Sequence, residues 1–251
     1  MIQSIDHIVI LVSDLDEAVR DYTELGFNVV PGGEHAGGVS HNALIAFGDG
    51  SYIELIAFRG HVPKEHHFYR EGVTEGLITF ALLPGAIETD VEAARARGVE
   101  YDGPTPGGRL RPDGTRLEWQ IATPHTHDLP FLCGDVTPRE LRVPGGEARS
   151  HKNGATGIAY LTIETRNLQL STQRYRALLG IEPTISKGDD RDTTEWFALN
   201  GANIILAPGT QPNWEGPIAL NLFSTQQISL DERLTHHVPL FINPINNPTS
   251  K

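Results

Sequence analysis

Two ionisable side chains lie in segments whose other residues are mostly apolar. His7 stands in "SIDHIVILV" and Glu54 in "SYIELIAF". Burial of a charged group costs on the order of several kcal/mol unless the group is paired, hydrated or bound to a metal. One imidazole with carboxylates suits a divalent ion such as Zn, Fe, Mn, Ni or Co, with water in the open positions. A buried His–Glu hydrogen bond without a metal is the alternative.

A second carboxylate repeats the pattern around Glu54. The sequence "DGSYIE" at residues 49–54 parallels "DGTRLE" at residues 113–118, which predicts that Glu118 stands in the same structural position of a second unit. Glu118 could be a third metal ligand, or a general base if it stays unbound near a substrate. The alternative is a surface glutamate that is salt-bridged to Arg116 or Arg109.

A strand that begins after a glycine-rich loop, "GGVSHNALIAF", carries two candidate substrate-binding residues. Asn42 can both donate and accept hydrogen bonds to a ligand, and His41 could replace a missing metal ligand. Asn42 could instead simply form the turn before the strand.

Three basic side chains are further candidates for substrate binding. Arg109 and Arg111 alternate onto one face of "GGRLRPDG", where a guanidinium could clamp a carboxylate or enolate oxygen. They could equally be solvated arginines on an edge strand. His151, in the connector "SHKNGATG", could swing over a ligand cup or be an ordinary linker histidine.

Other reactive residue types are predicted to be structural. "GGEHAGG" is interpreted as a turn, and Cys133 as a small buried hydrophobe. The adjacent histidine pairs and the pair in "PHTHDLP" are predicted to lie in surface or irregular loops: His66 and His67, His236 and His237, His125 and His127.

The elements that would position these residues form a repeat. A strand (residues 4–12), a helix (13–26) and three strand-like pieces (27–33, 41–50 and 51–58) give the order β-α-β-β-β. The order returns with "GLITFALL", "GAIETDVEAARARG" and the shorter strands "VEYDGP", "GGRLRPDG" and "TRLEWQIA". The sequence therefore predicts an α+β fold of tandem βαβββ modules.

A third copy follows a polar connector and has lost both polar residues. Aligning its elements with the first copy puts Tyr160 opposite His7 and Ile205 opposite Glu54. The predicted organisation is paired modules in 1–138, a linker in 139–154, a degenerate third module in 155–224 and a C-terminal tail in 225–251. The stretch "PIALNLFSTQQISLDERL" could be a truncated fourth unit.

A tandem βαβββ unit with His in its first strand and Glu in its fourth resembles the vicinal oxygen chelate superfamily. The segments "IDHIVILVSDLDEAV", "HNALIAFGDGSYIELIAF", "RLRPDGTRLEWQIA" and "HKNGATGIAYL" are similar to its glyoxalase-like domain family, over residues 4–206. The resemblance implies a U-shaped mixed sheet around a metal or small ligand, with one ligand offered by the first and one by the fourth strand of each unit.

By this resemblance His7 and Glu54 fill the two metal-ligand positions of unit one. In unit two, Glu118 fills the fourth-strand position, and the first-strand position falls at Thr79, a poor ligand. The implied function is a metal-dependent lyase, isomerase or dioxygenase acting on a small oxygenated metabolite. The alternative is a metal-free protein that sequesters small molecules, like the bleomycin-resistance members of the fold. A third possibility is a structural role, with the third module at an oligomer interface, for example in a homodimer.

Composition limits the class of partner. The net charge of −12 argues against nonspecific nucleic-acid binding. A single cysteine excludes an internal disulfide, which favours a reducing cytoplasm. The N-terminal "MIQSIDHIVI" lacks the features of a signal peptide, and no apolar run is long enough to cross a bilayer.

Overall fold

The computed structural model describes residues 1–186, 193–210 and 214–244. Its strands form a closed eight-stranded barrel and a separate six-stranded sheet. Both sheets are built from the predicted βαβββ units, which confirms the α+β fold class.

The first unit has the predicted order of elements. It comprises β1 (Ser4–Leu11), α1 (Leu15–Glu24), β2 (Val30–His35), β3 (Ser40–Ala46) and β4 (Tyr52–Phe58). Asp14 caps α1, because its Oδ1 accepts a hydrogen bond from the amide of Glu17 at 2.9 Å. β1 and β4 pair in parallel, and the strand order within the unit is β1-β4-β3-β2.

The second unit differs from the prediction in its strands. It comprises β5 (Gly76–Leu83), α2 (Ile87–Ala96), β6 (Tyr101–Leu110), β7 (Arg116–Pro124) and β8 (Phe131–Asp135). β6 runs through both "VEYDGP" and "GGRLRPDG", since a register shift between Asp102 and Thr105 accommodates the Gly-Pro pair. "TRLEWQIA" is therefore the third strand of this unit, and β8 is the fourth.

The two units close the barrel in the order β1-β4-β3-β2-β6-β7-β8-β5. β1 meets β5 in antiparallel pairing, and β2 meets β6 on the opposite side. Each first strand pairs in parallel with the fourth strand of its own unit, β1 with β4 and β5 with β8. The interior of the barrel is thus lined by both units.

The predicted linker is an ordered cover over the barrel. It contains the short helix α3 (Arg139–Arg142) and a 3-10 turn at Gly146–Arg149. Arg142 is only 3% exposed and donates hydrogen bonds to Asp6 of β1 and to the Tyr52 hydroxyl of β4. The connector is therefore part of the first sheet's packing rather than a free spacer.

The third unit continues as β9 (Ala155–Thr165), α4 (Leu168–Leu179), β10 (Thr184–Ser186), β11 (Thr194–Leu199) and β12 (Ala202–Pro208). β13 (Gly216–Ser224), a 3-10 turn at Glu232–Leu234 and β14 (Leu240–Asn243) follow. The sheet order is β10-β11-β12-β9-β13-β14. This is the order of the barrel without the counterparts of β6 and β7, as expected for a truncated fourth unit.

The C-terminal segment is more than the predicted tail. β14 pairs in parallel with β13, and Ile242 is 1% exposed. Its alternating apolar residues bury one face against the second sheet, so the prediction of a tail from residue 225 is wrong for Leu240–Asn243. The last residues of the predicted tail, 245–251, lie outside the described part of the chain.

One apolar core joins the two sheets. It includes Ile8 and Phe80 of the barrel together with Ile158 and Leu220 of the second sheet. Polar contacts cross the same boundary, for example the Tyr175 hydroxyl to the Asp128 carbonyl at 2.7 Å. No helix in the described ranges has the length and apolarity needed to span a bilayer.

Candidate functional site

A cavity of about 340 Å³ opens inside the barrel. Its volume falls in the range of small-molecule sites, roughly 300–1,000 Å³. One side is polar and centres on Glu54. Aromatic rings also line the cavity, those of Tyr52, Phe68, Trp119 and Phe131, and three of them contact the histidines next to Glu54.

An irregularity in β1 turns His7 into this cavity. The pairing of β1 with β5 shifts between Ile5 and His7, which leaves Asp6 as an extra residue. Such a bulge breaks the alternation of faces. Ile5 consequently packs in the outer core, whereas Val9 lies in the apolar cluster inside the barrel and His7 lines the cavity.

Two imidazoles converge on the Glu54 carboxylate. Nε2 of His7 lies 3.5 Å from Oε2, and Nε2 of His35 lies 3.5 Å from Oε1. These separations exceed the distances of roughly 2.7–3.2 Å that are typical of N–H···O hydrogen bonds. Two nitrogen atoms and a carboxylate therefore face one another without bonding directly.

The outer nitrogen of each ring is held by a polar partner. Nδ1 of His7 contacts Asp6 Oδ2 at 2.6 Å, and Nδ1 of His35 contacts Ser40 Oγ at 3.0 Å. Partners of this kind fix the orientation of a ring and direct the Nε2 atom at its target. Stacking of His7 on Tyr52, with ring centroids 4.6 Å apart, restrains the ring further.

The carboxylate behind His7 belongs to a buried ion-pair network. Asp6 accepts hydrogen bonds from Arg142 at 2.8 and 3.1 Å and from Arg139 at 2.5 Å. Burial alone would raise the pKa of Asp6, but the charge of Arg142 and the contacts with His7 and Arg139 hold this pKa well below its ordinary value. Asp6 is therefore ionised, and α3 fixes the orientation of His7 through it.

Glu54 is buried and still ionised. Burial favours the neutral acid and would raise the pKa of Glu54. This pKa is nevertheless lowered, by electrostatic interactions with His35 and His7, by a hydrogen bond from Asn42 and by the charge of Arg109. The Asn42 Nδ2 atom donates to Oε1 at 2.5 Å. The pKa of His35 is lowered by burial, against the attraction of Glu54, so that this ring favours the neutral form a metal ligand needs.

Arg109 is a buried cation beside the same carboxylate. Its Nη1 donates to Asn42 Oδ1 at 3.1 Å and its Nη2 to the Arg142 carbonyl at 2.9 Å. In the described part of the chain, no carboxylate oxygen lies within 4 Å of this guanidinium. A buried arginine that contacts neutral oxygens and lines a cavity is suited to binding an anionic group.

The donor types at Glu54 are those of a divalent-ion site, with imidazole nitrogen and carboxylate oxygen. Within the described ranges, however, no group of three or more His, Cys, Asp or Glu side chains is arranged to hold a metal ion as it stands. The residues therefore fit such an ion by their chemistry, whereas a preformed three-ligand cage is not present among them. Metal binding at His7 and Glu54 stays a prediction.

Four of the predicted site residues meet in the cavity. His7 and Glu54 lie in the first and fourth strands of unit one, as the sequence pattern indicated, and Asn42 and Arg109 bridge them to unit two. The placement of these four side chains in one cavity agrees with the sequence analysis.

Glu118 lies elsewhere. It stands on β7, its side chain is 48% exposed, and it accepts a hydrogen bond from Arg116 at 2.9 Å. The prediction that Glu118 shares the site was wrong, because the "DGTRLE" turn joins the second and third strands of its unit rather than the third and fourth. The surface salt bridge weighed as the alternative is what the structure contains.

Strand pairing shows which residues of unit two correspond to the ligand positions. In unit one, Val9 lies six residues before α1, which begins at Leu15, and pairs with Glu54. In unit two, Ala81 lies six residues before α2, which begins at Ile87, and pairs with Phe131. Phe131 thus occupies the position of Glu54. By the same count Thr79 occupies the position of His7, as predicted, so unit two supplies no strong ligand.

Three other candidates do not reach the cavity. Arg111 is paired with Asp113 at 3.2 Å, and His41 is not among the cavity-lining residues. His151 is buried between Phe27 and Phe47, where Nδ1 accepts from the Asn28 amide and Nε2 lies 3.0 Å from the Ala46 carbonyl. The prediction of His151 as a substrate-binding residue was therefore wrong; it ties the connector to the barrel.

Three cavity histidines were missed from the sequence. His35 was assigned to a turn because glycines surround it, and His66 and His67 were assigned to a surface loop. The two rings stack at 4.7 Å and form part of the cavity wall, with His67 against Phe131. Burial, aided by His66 and Arg70, lowers the pKa of His67 to about 3. The buried Phe68 beside them was the available signal that this loop folds inward.

An eight-stranded barrel of two βαβββ units with a polar cavity defines the class of glyoxalase-like proteins. The model of the glyoxalase-like domain family matches residues 5–179, and the chain belongs to this family. A comparison with the curated proteins finds no significant match.

Solved structures show the same fold at low sequence identity. A hypothetical protein from Staphylococcus aureus is 16% identical with a TM-score of 0.76, covering 96% of this chain and 99% of that one. A mutant of 4-hydroxymandelate synthase from Streptomyces coelicolor is 12% identical with a TM-score of 0.62, covering 89% and 71%. A xylose isomerase-like TIM barrel/4-hydroxyphenylpyruvate dioxygenase fusion protein is 13% identical with a TM-score of 0.57, covering 89% and 37%.

Proposed function

We propose that this protein is a divalent-metal-dependent enzyme of the vicinal oxygen chelate type, a lyase, isomerase or dioxygenase acting on a small oxygenated anion. The observation that carries the proposal is the convergence of His7 and His35 on Glu54, with 3.5 Å from each Nε2 atom to a carboxylate oxygen. The dioxygenase and synthase structures share the fold of this chain, and the activities in their names are compatible with the proposal.

The three converging side chains would hold the ion, and Asp6 and Ser40 would orient the two rings. When bound, a divalent ion acts as a Lewis acid on adjacent substrate oxygens. Arg109 binds an anionic oxygen of the substrate, because its guanidinium lines the cavity and, among the described residues, forms no direct ion pair with a carboxylate. Trp119 and Phe131 pack against the apolar part of the substrate and exclude water, which strengthens these electrostatic contacts.

Metal content of purified variants tests the proposal. After loading with each candidate ion and dialysis, the wild-type protein should retain close to one ion per chain. His7→Ala and His35→Ala should each weaken metal binding by more than about tenfold, since loss of even a residue that only orients a metal ligand typically lowers metal affinity by this much. His125→Ala is the matched control, because that ring is 53% exposed and does not line the cavity.

Absence of stoichiometric metal binding, or an unchanged metal content in His7→Ala, would remove the basis of the enzyme proposal. If metal binds, oxygen consumption during turnover of small 2-oxo acids and catechols distinguishes a dioxygenase from a lyase or isomerase.

A metal-free protein that sequesters small molecules is the second candidate. Its support is that Phe131 and Thr79 fill the ligand positions of unit two, and that Asn42 already donates to Glu54 at 2.5 Å. Metal analysis with no bound ion, combined with thermal stabilisation by aromatic anions that is lost in Arg109→Gln, would favour this candidate.

A further inference from the structure

A second cavity of about 590 Å³ lies at the ends of β1 and β4, beside the start of α1. Part of its wall is apolar and comes from Leu11, Val12 and Phe58 at strand ends, with Val62 and Val73. The remaining wall includes the hydroxyl-bearing residues Ser13, Tyr69 and Thr74 and the basic residues His61, Lys64 and Arg70.

The charged side chains that line this cavity are all basic. This is unusual for a chain with 32 acidic and 20 basic side chains. Neither Lys64 nor Arg70 has a carboxylate within 4 Å among the residues that the structure describes. Glu75, which is close in sequence, is already engaged by the Ser13 amide at 2.9 Å and by His236 at 3.3 Å.

Arg70 is held in place with part of its hydrogen-bonding capacity unused. Its Nη1 donates to the carbonyls of His67 and Tyr69 at 2.9 Å each. Its Nε atom is buried and has no hydrogen-bond partner among the residues that the structure describes. Burial also lowers the pKa of Arg70, to about 10. A partly buried guanidinium bonded only to neutral carbonyls is stabilised when an anion approaches it.

We propose that this second cavity binds a small organic anion, an apolar chain that ends in a carboxylate or phosphate group. Lys64 and Arg70 bind the anionic group, and Phe58, Val62 and Val73 pack against the chain. The ligand class follows from the described residues of the wall, part of which are apolar and whose charged members are all basic.

The segment between β4 and β5 forms a wall of both cavities. His66, His67 and Phe68 line the barrel cavity, whereas Lys64, Tyr69 and Arg70 line the second one. A ligand in the second cavity therefore contacts the same chain segment that lines the barrel cavity. The inference goes beyond the proposed enzyme function and does not depend on a metal ion.

Calorimetric titration of the full chain tests the assignment. The probes are octanoate, octyl phosphate, 1-octanol and inorganic phosphate. We expect saturable binding of at least one octyl anion and at least about tenfold weaker binding of 1-octanol, because the charged contacts are lost. Octanoate against octyl phosphate identifies the preferred anionic group.

Charge variants locate the site. Lys64→Glu should weaken binding of the octyl anion by at least about tenfold, whereas Lys152→Glu, an exposed lysine of the connector, should change it by less than about twofold. Arg70→Met, which keeps the apolar stem, is the second variant. Arg109→Gln distinguishes the two cavities and should leave this binding unchanged.

Four results would overturn the assignment: no saturable binding of either octyl anion; equal binding of 1-octanol; inorganic phosphate as tight as octyl phosphate; or loss of binding in Arg109→Gln rather than Lys64→Glu. Metal content, measured separately, keeps a failure here distinct from a failure of the enzyme proposal.

Discussion

Asp6 links the ion-pair network of α3 to the orientation of His7. Its carboxylate accepts from Arg142 and Arg139 and contacts Nδ1 of His7 at 2.6 Å. Arg142 in turn contacts Asp135 and the Tyr52 hydroxyl. Loss of one member of a buried network leaves the others desolvated and unpaired, so a single substitution affects both stability and the site.

Asp6→Asn should lower the free energy of unfolding at pH 7 by about 3 kcal/mol, because Arg142 and Arg139 both lose a fully buried carboxylate partner and Asp135 remains as their acidic contact. The pKa of Asp6 is lower in the folded protein than its ordinary 3.8. Its stabilisation is therefore complete above pH 3.8 and is lost as pH falls through the folded pKa. Urea unfolding at pH 7 and pH 3 should show a smaller deficit at pH 3, with exposed Asp102→Asn as control. An equal deficit at both pH values contradicts the ion-pair explanation.

Glu118→Gln tests the corrected position of that carboxylate. We expect metal content to be unchanged and stability to change by less than about 0.5 kcal/mol, since the pair with Arg116 is exposed. Glu54→Gln is the matched substitution in the cavity and should weaken metal binding strongly. Both are measured by metal analysis and chemical denaturation; a loss of metal in Glu118→Gln would argue against the position assigned to it.

At the scale of elements, two strand irregularities position the site. The extra residue Asp6 in β1 turns His7 inward, and the pairing of β2 with β3 shifts between Pro31 and Gly33. A Cβ on Gly32, at that second irregularity, would lie 2.0 Å from Asn42 Oδ1 and 2.3 Å from Arg109 Nη1. The missing side chain of Gly32 therefore makes room for the pair that contacts Glu54.

Gly32→Ala should displace the Asn42–Arg109 pair. We expect a loss of roughly 1–3 kcal/mol in stability, as for other overpacked interiors, together with weaker metal binding. Gly145→Ala is the matched control, because a Cβ there meets no atom of the described residues within 4 Å. Thermal and urea unfolding with metal analysis measure both effects. If both variants behave like the wild type, the close packing at Gly32 is not needed by the site.

At the scale of the whole molecule, the two sheets share one core. Arg97 of the barrel donates to the carbonyls of Ala177 and Leu178, and Arg174 pairs with the fully buried Asp128 at 3.1 Å. The Tyr22 hydroxyl donates to the Thr235 carbonyl at 3.1 Å. Separation of the sheets would expose this core and leave Asp128 without its partner, which is unfavourable.

The full chain should therefore unfold in one cooperative transition. Calorimetry should give a ratio of calorimetric to van't Hoff enthalpy close to one, and the fragment 1–154 should be unfolded or aggregated because its share of the core is uncovered. Two separated transitions, or a stable monomeric 1–154 fragment, would show that the sheets are independent.

Sequence alone determined the repeat, the fold class and the strands that carry His7 and Glu54. These follow from local signals: runs of β-branched residues, helix caps and glycine turns. The alignment of the third copy was also correct, since Thr162 pairs with Ile205 as Val9 pairs with Glu54. Local signals can thus identify a unit and an unusual polar residue within it.

Tertiary structure decided which side chains meet. His35 joins Glu54 only because β2 closes the barrel against β6, and Glu118 leaves the site because "DGTRLE" forms a different hairpin of its unit from "DGSYIE". A shift of one residue reverses the face of a strand, and barrel closure depends on contacts far apart in the chain. The bulge at Asp6 depends on the pairing of β1 with β5, and the contacts of Arg142 join α3 to β1 and β4. Short sequence patterns do not encode such long-range contacts.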